Sequence, residues 1–345
     1  MQEFFSQSLN RKNLIRGSLF FVLCTILGLL ISFLWSGTEN IGRVLYSING
    51  KLLLLATLCM IADWLCGAGR FHIFAQKMSP QVTYLDSIRA NLATLCVGGI
   101  TPFQTGGVGH IYIFNRVGVP VSGGMTSGII SFIGTLTFLI LSTGYVVWRA
   151  PDSLPKGITF VSQYSLLMFL VVLLFFLLLA IKPDVLLIFL NRIRLPRGRR
   201  FRPIAKGLDR LLHTLEKLIL EHKAFTRMFI TDHKMVCVLS FVLTGGIYMS
   251  RFVGGYVVVR ALGGHAPFWH VIAAQVILNF ATLFAPSPGA SGIAEFLSIV
   301  LMRNLLAPVA IGLYALLTRF FTTYCSVGIG GIVLASQLAQ DFRQE

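Results

Sequence analysis

Long apolar runs constrain this sequence more than any other feature. Six stretches are mostly apolar and long enough to cross a bilayer, for which a helix needs about 20 residues. Charged residues make up only 12% of the 345 residues, about half the share in a typical soluble domain. We therefore predict an all-α polytopic membrane protein rather than a soluble enzyme. The six predicted spans are about 17–35, 51–69, 120–147, 161–182, 235–258 and 308–335.

Two further apolar regions, about 86–118 and 268–305, are each interrupted by a string rich in proline and glycine. The first string is Thr101-Pro102-Phe103-Gln104-Thr105-Gly106-Gly107 and the second is Ala285-Pro286-Ser287-Pro288-Gly289. The apolar arms are short, as in re-entrant segments. Broken backbone at membrane depth occurs where protein buries it or where it lines a watery cavity. We predict two re-entrant units whose breaks line a cavity; a pair of short full spans is the alternative.

The distribution of basic residues predicts the orientation. Segment 182–234 holds 13 Lys or Arg residues against five acids, whereas the loops assigned to the outside hold only Arg43, Arg149, Lys156 and Arg260. Cytoplasmic loops carry the excess of basic residues, so both termini are predicted to be cytoplasmic in a bacterial-type inner membrane. The net charge of +16 then reflects topology rather than nucleic-acid binding. Within 183–234, the leucine spacing after Pro203 predicts an amphipathic helix.

The two broken regions resemble each other, which predicts an internal repeat over about 86–147 and 268–335 within a single membrane domain, 1–345. In each region a proline precedes a glycine-rich string, and an arginine then precedes a Pro-Val pair that opens a full span. Three crossings lie between the regions. Because three is odd, the second unit enters from the opposite side, as in transporters built from inverted repeats.

Ionisable residues inside apolar segments are costly and indicate function by default. Arg251 lies deep in the fifth span, and His110 occupies the position opposite Glu295 in the repeat. A structural ion pair between Glu295 and Arg319 is an equal alternative to a functional role. For Asp63 we favour a polar contact to a neighbouring helix. The candidates are Glu295, Arg319, Arg251, Asp63 and His110.

No motif indicates metal, nucleotide or catalytic chemistry. The sequence contains no Walker A string, no H-E-x-x-H and no G-x-S-x-G. The six cysteines lie in apolar runs without C-x-x-C spacing, which argues against a zinc site or a disulfide framework. We expect no cofactor and no catalytic activity.

The second break carries a family resemblance. Pro288-Gly-Ala-Ser-Gly-Ile-Ala-Glu295, followed by Leu316-Leu-Thr-Arg319-Phe, resembles the P-G-G-x-G-x-x-E…R pattern of the lysylphosphatidylglycerol synthase transmembrane, or flippase-like, family. Gly69-Arg70-Phe71 resembles its Arg-Trp-like element, and Thr101–Gly107 its first Pro/Gly-Gly loop. The likeness covers about 15–335. Where family members often carry an acid and then an arginine, this sequence has Val108-Gly109-His110.

The resemblance implies a lipid translocator like the flippase half of the multiple peptide resistance factor, without its soluble aminoacyl-transferase domain. Glu295, Arg319 and Arg70 would then be functional. We expect Arg319 and Arg251 to hold phosphate and Glu295 to meet a positive or hydroxyl part of the headgroup. His110 would tune binding with pH. The cavity wall would include the break residues Pro102, Gly106, Gly107, Pro288, Gly289 and Gly292.

The leading hypothesis is therefore a flippase or scramblase for an anionic or amino-modified phospholipid or lipid-linked headgroup. Three alternatives stay open at this point. They are a membrane-embedded enzyme acting on lipid-linked envelope precursors, an accessory subunit of an envelope-building complex, and an ion-coupled transporter of small solutes. Membrane lipids are the expected partners, nucleic acid is not, and a homodimer is left open.

Overall fold

The computed structural model describes residues 11–36, 42, 46–101, 105–149, 156–185, 202–283 and 285–341, and these contain helices and no strand. This confirms the all-α membrane fold. The helices are α1 (Arg11–Ser36), α2 (Gly50–Met78), α3 (Tyr84–Ile100), α4 (Gly107–Arg116), α5 (Val121–Arg149), α6 (Lys156–Ile181), α7 (Arg202–Thr231), α8 (Lys234–Ala261), α9 (Phe268–Thr282), α10 (Ile293–Met302), α11 (Pro308–Arg319) and α12 (Cys325–Asp341).

Five of the predicted spans correspond to helices that are long and apolar enough to cross a membrane. They are α2, α5, the Ser162–Ile181 part of α6, α8, and the continuous rod Pro308–Asp341. In that rod, a π-helical segment Phe320–Tyr324 joins α11 to α12. The first predicted span lies in α1, whose described apolar stretch is Ile15–Leu30. The outer face of α6 exposes large apolar side chains such as Leu167, Val171 and Leu174, as expected of a surface that faces lipid.

The second span is longer than the sequence predicts. Helix α2 continues to Met78, nine residues beyond the expected end at residue 69. The sequence prediction stops there because Arg70 interrupts the apolar run. In the fold, the Arg70 guanidinium lies among hydroxyl groups of two neighbouring helices, so the helix passes through a charged residue without a break.

Each broken region is a medium helix, a break and a short helix. Helix α3 has 17 residues and α4 has 10, whereas α9 has 15 and α10 has 10. A helix of ten residues is about 15 Å long, half the thickness of the hydrocarbon core. The short helices therefore favour re-entrant units over paired full spans. Helices α3 and α4 can pack closely because Gly106 has no side chain. A Cβ there would lie 2.3 Å from the Thr94 carbonyl oxygen.

The same order of helix lengths occurs twice: long, medium, short, long. The first set is α2–α3–α4–α5 and the second is α8–α9–α10–α11 with α12. The corresponding helices α2 and α8 share the largest helix–helix interface described. Two contacts show that they run antiparallel. Asn49, at the start of α2, bonds to Ala261, at the end of α8, and Asp63, further along α2, bonds to Arg251, which comes earlier in α8.

Antiparallel pairing of corresponding helices is what an inverted repeat requires, although inversion of the whole units stays a prediction. The fold extends the repeat to α2 and α8, whereas the similarity visible in the sequence begins only at about residue 86. The two sets interlock, since α3 packs against α12 and α9 packs against α5. The space between them is therefore walled by both.

Helices α1 and α7 lie against this framework. Helix α1 crosses the second break: Gly28 lies against the backbone of Gly292, and the Thr25 hydroxyl is 3.2 Å from that of Ser291. Helix α7 is the expected amphipathic helix, and it packs against α5, α6 and α8. Its buried His222 lies 2.8 Å from the Thr126 hydroxyl. The basic run 192–200 falls outside the described residues.

Candidate functional site

A cavity of about 630 Å³, lined by both polar and apolar side chains, lies between the two interlocked helix sets. Its wall includes Thr105–Gly107 from the first break, Gly289 from the second, and parts of α2, α3, α5, α8 and the π-helical segment. Thr135 on this wall is 14 residues into α5, a depth of about 21 Å at 1.5 Å per residue. This part of the wall thus lies about midway along α5, among helices that expose apolar side chains outward.

The two breaks meet at the cavity. A Cβ at Gly289 would lie 3.0 Å from the carbonyl oxygen of Gly99, at the end of α3. Gly289 itself adopts φ +56°, in the left-handed region that favours glycine. Because of this contact, the proline- and glycine-rich strings of both units border the same cavity.

Arg319 and Glu295 form a buried ion pair behind the second break. The Arg319 Nε donates to Glu295 Oε1 at 3.1 Å, and the side chains are 10% and 1% exposed. The other carboxylate oxygen accepts from the Gly292 backbone N–H at 2.6 Å. Arg319 Nη2 donates to the Gly289 carbonyl at 2.6 Å, and Nη1 donates to the Thr323 hydroxyl at 2.9 Å.

This network holds the break in shape. Arg319 reaches the cavity, whereas Glu295 lies behind the wall with both oxygens occupied. The structural alternative for the pair therefore has direct geometric support. The π-helical segment that starts directly after Arg319 turns Thr322 and Thr323 toward the cavity.

Arg251 and Asp63 form a second ion pair, across α8 and α2. The Arg251 Nε donates to Asp63 Oδ2 at 3.2 Å, with side-chain exposures of 23% and 7%. The guanidinium also lies over the Tyr248 ring, 5.4 Å from its centroid. Arg251 borders the main cavity and a smaller pocket lined by Asp63 on the other side. Asp63 thus makes the interhelical polar contact that its position in the sequence favours.

Arg70 differs from the other two arginines because its hydrogen-bond partners among the described residues are neutral hydroxyl groups. Its Nη1 donates to the Thr135 hydroxyl at 3.0 Å and to the Thr244 hydroxyl at 3.3 Å. Its Nε, also buried, has no hydrogen-bond partner among the described residues, and neither does the buried hydroxyl of Ser131. Ser131 lies one helical turn before Thr135, and both border the cavity.

Sequence reasoning missed Ser131 and Thr135. A usable signal is present in α5, where Ser127, Ser131 and Thr135 recur every four residues and so share one helix face. In an apolar span, a stripe of hydroxyl residues marks a face turned toward protein or water rather than lipid.

His110 is buried in the cavity wall at the start of α4. Its Nε2 donates to the Gly124 carbonyl of α5 at 3.0 Å, and its ring stacks on Phe71 with centroids 4.5 Å apart. The imidazole therefore connects the short helix to α2 and α5. This is the residue that stands where family members often carry a charged pair.

The remaining candidate residues belong to the breaks. Gly106 is required sterically, as described above, whereas a Cβ at Gly107 would meet only the His110 ring at 3.8 Å. Pro288 is buried and opens a short 3-10 turn, and Gly292 caps α10 with φ +85°. Pro102 lies outside the described residues. The predicted residues that border the cavity are Arg70, Gly106, Gly107, His110, Arg251, Gly289 and Arg319.

Metal binding has no support in the described part of the chain, where no group of three or more His, Cys, Asp or Glu side chains is placed to hold an ion.

Comparison with known proteins agrees with the resemblance seen in the motifs. The family model of the lysylphosphatidylglycerol synthase TM region matches residues 17–330. The chain belongs to this family. A relative from Archaeoglobus fulgidus, described as a UPF0104 membrane protein, is 22% identical over 312 residues. That alignment covers 90% of this chain and 94% of the relative. The protein is accordingly a multi-pass membrane protein, and its family is related to membrane phospholipid metabolism.

Proposed function

We propose that this protein is a lipid flippase or scramblase that moves a phospholipid or lipid-linked headgroup across the membrane, and that it is not an enzyme. The observation that carries the proposal is the arginine-lined cavity between two helix sets, about midway along the spanning helix α5. Ionisable residues inside the membrane are expensive to maintain, and a cavity lined by them provides a place where a charged headgroup can leave water. Intramembrane arginines suit phosphate because the guanidinium binds it bidentately.

The cavity volume supports a headgroup as cargo. At about 630 Å³ it falls in the range of small-molecule sites, which fits a headgroup and leaves the acyl chains in the bilayer. The two helix sets supply two walls on opposite sides of this space. In this scheme, rocking of one set against the other would open the cavity to each leaflet in turn.

The enzyme alternative has less support in the geometry. It needs a free carboxylate base, and both intramembrane carboxylates are occupied: Glu295 by Arg319 and Asp63 by Arg251. A catalytic base must reach the proton that it removes, and Glu295 is 1% exposed.

We further propose that the protein lies in the cytoplasmic membrane with the basic segment 183–234 and both termini inside. Single-cysteine variants at Gln81 and His265, both exposed, are labelled with a membrane-impermeant maleimide in intact cells and test this orientation. We expect His265→Cys to react and Gln81→Cys to react only after lysis; the reverse pattern contradicts it.

Leaflet exchange in vesicles tests the function. The purified protein is reconstituted with phospholipids that carry a fluorophore on an acyl chain, and dithionite reports the fraction in the outer leaflet over time. We expect exchange well above that of empty vesicles. Rates no higher than in empty vesicles for every headgroup tested would refute the proposal.

A blocked cavity provides the internal control. Gly107→Trp places a large side chain at a wall position that has open space, so the fold is retained while the cavity is filled. Leu174→Trp adds the same bulk to the lipid-facing surface of α6, where Leu174 is exposed. We expect Gly107→Trp to reduce exchange at least tenfold and Leu174→Trp to leave it unchanged. Equal rates in the two variants would place the lipid path elsewhere.

A further inference from the structure

The two intramembrane ion pairs differ in how completely their partners are held. We propose that Asp63 is a proton-binding site, and that a proton bound there releases Arg251 to an anionic headgroup in the cavity. The protein then moves the headgroup and a proton in the same direction, as a symporter. The inference rests on the proposed function, because it adds the coupled ion to the same transport step.

The pair of Glu295 and Arg319 is closed to exchange. Both carboxylate oxygens accept hydrogen bonds, one from Arg319 and one from the Gly292 backbone. The Arg319 guanidinium also donates to three further groups, from the second break and the π-helical segment. Because the Glu295 side chain is 1% exposed, a proton could reach it only if the break came apart.

The pair of Asp63 and Arg251 is open on both sides. The described hydrogen bond between them runs from Arg251 Nε to Asp63 Oδ2 at 3.2 Å. Among the described residues, Asp63 Oδ1 accepts no hydrogen bond and the terminal nitrogens of Arg251 donate none. These atoms are nevertheless not among the fully buried atoms that lack a partner. Each therefore retains accessible surface, and the pair is able to exchange partners.

The two partners face different spaces. Asp63 lines the smaller pocket, whose volume of about 20 Å³ is enough for about one water molecule. A water molecule there can deliver a proton to Oδ1. Arg251 borders both this pocket and the main cavity, so its guanidinium can turn from the carboxylate to an anion in the cavity while α8 stays in place.

The groups that face Asp63 suit a proton better than a metal ion. Arg251 and Tyr248 approach it from α8, and Arg70 and Cys66 lie on α2 itself. The other helices packed against α2 meet it with neutral side chains, which are Asn91 of α3, Thr135 of α5, and Thr318, Phe321 and Thr322 of the rod Pro308–Asp341. No second carboxylate lines the pocket among the described residues. A metal ion needs several oxygen ligands, whereas a proton needs one.

Electrostatic linkage couples the proton to the anion. While Asp63 is ionised, an anion at Arg251 shares that arginine with a second negative charge at close range. Protonation of Asp63 removes this repulsion and frees the Nε donor for the anion. Because coupling free energies are reciprocal, the anion favours the proton on Asp63 by the same factor. Arg70 keeps its charge in both states, so it strengthens anion binding without changing the sign of this linkage.

The exchange of partners is balanced. A proton binds Asp63 Oδ1, the hydrogen bond from Arg251 Nε breaks, and the guanidinium takes the anion. Release reverses each of these changes, and no group is oxidised or reduced. Because headgroup and proton enter and leave the site together, a membrane that is more acidic on one side drives the headgroup toward the other side.

Proton uptake on binding tests the site directly. Short-chain phosphatidylglycerol is titrated into the purified protein in weakly buffered detergent, where an indicator dye reports protons and native mass spectrometry counts bound lipid. The phosphodiester stays singly charged throughout, so it takes up no proton itself. We expect uptake that approaches one proton per bound lipid, and binding at least about fivefold tighter at pH 5.5 than at pH 7.5, the lower end of typical coupling.

Three variants assign the proton. Asp63→Asn keeps the size of the side chain but cannot ionise, so we expect no proton uptake and no pH dependence of binding. Asp63→Glu restores a carboxylate and should restore uptake. The matched control is Asp184→Asn, which removes a carboxylate whose side chain is 51% exposed and should leave uptake unchanged.

The proposal remains refutable if a variant does not fold, which size-exclusion chromatography shows. Lipid binding by the unmodified protein without proton uptake overturns the proposal on its own. Uptake by folded Asp63→Asn equal to that of Asp184→Asn overturns it as well. If Asp63→Asn does not fold, Asp63→Glu decides, because loss of uptake in a folded protein that keeps the carboxylate contradicts the assignment.

Vesicles with a pH gradient separate the inference from the proposed function. Phosphatidylglycerol with a fluorophore on a short acyl chain is followed by back-extraction with albumin, at equal pH and with a more acidic outside. Relative to empty vesicles, we expect the gradient to deplete the outer leaflet at least twofold, and Asp63→Asn to lose that shift. Exchange to the same endpoint with and without the gradient refutes the proton coupling and leaves the flippase or scramblase function. Proton uptake on binding without any exchange supports the proton site and refutes that function. A lipid that neither binds nor exchanges refutes both.

Discussion

The buried pair of Glu295 and Arg319 gives the sharpest stability prediction. Glu295→Gln keeps the size of the side chain and removes its charge, which leaves the Arg319 guanidinium with the Thr323 and Ser291 hydroxyls and the Gly289 carbonyl as partners. Because the Arg319 side chain is only 10% exposed, water cannot replace the lost carboxylate. Breaking a buried pair in this way costs about 3–5 kcal/mol of unfolding free energy.

The matched control is an exposed pair in the same protein. Lys223 and Asp184 lie 2.6 Å apart with both side chains 51% exposed, so Lys223→Met should cost less than about 1 kcal/mol. Unfolding by SDS in mixed micelles measures both losses. The double variant Glu295→Gln with Arg319→Gln should cost less than the sum of the two single variants, because neither charge is then left alone. If Glu295→Gln costs no more than Lys223→Met, the reasoning is refuted.

Three further predictions follow from local geometry. Gly106→Ala should destabilise the protein by about 1–3 kcal/mol, because its Cβ would lie 2.3 Å from the Thr94 carbonyl oxygen. Gly107→Ala, where a Cβ has open space, should change the melting temperature little. Equal shifts in melting temperature for the two variants would contradict the packing of α3 and α4. Gly292→Ala should cost about 1–2 kcal/mol without a clash, because φ +85° strains an L-residue, and an unchanged SDS midpoint would show that the break relaxes. Burial lowers the pKa of His222 from its ordinary 6.5, so the docking of α7 should be strongest above pH 6.5 and weaken as the pH falls below it. Amide protection factors over 212–231, corrected for the intrinsic exchange rate at each pH, should therefore fall from pH 7.5 to 5, and His222→Gln should remove that fall.

Much of the fold follows from the sequence because lipid imposes simple rules. A helix is the only open-ended structure that satisfies its backbone in a bilayer, so apolar length alone locates the spans. The proline- and glycine-rich strings locate the breaks for the same reason, since helices end at them. What the sequence does not show is how far a helix continues through a charged residue, as α2 does beyond Arg70. That depends on partners from distant segments, here Thr135 and Thr244.

The candidate site is predictable to the same extent. Charges in apolar segments point to Arg251, Arg319 and Glu295, and the family resemblance adds Arg70. The fold brings the three arginines to one cavity. The sequence does not show which of these residues border the cavity and which lie behind its wall. Glu295 turns out to bond Arg319 behind the wall, and only the packing of α5 shows that Ser131 and Thr135 border the cavity.

The repeat illustrates a second limit. Similar strings at residues 102 and 286 indicate two related units, but the helices that precede them, α2 and α8, share little sequence that reveals their correspondence. Their similar lengths, 29 and 28 residues, and their antiparallel contact appear only in the fold. Helix length and direction are therefore the features through which this repeat is recognised.

The most direct test of the central claim is a structure of the protein in phospholipid nanodiscs that contain phosphatidylglycerol. The claim is that a lipid headgroup enters the cavity between the two breaks. We predict density for a phosphate beside the arginines that border the cavity, Arg70, Arg251 and Arg319, with acyl-chain density leaving between helices toward the bilayer. A cavity that holds only water, with lipids confined to the outer helix surface, would contradict the account.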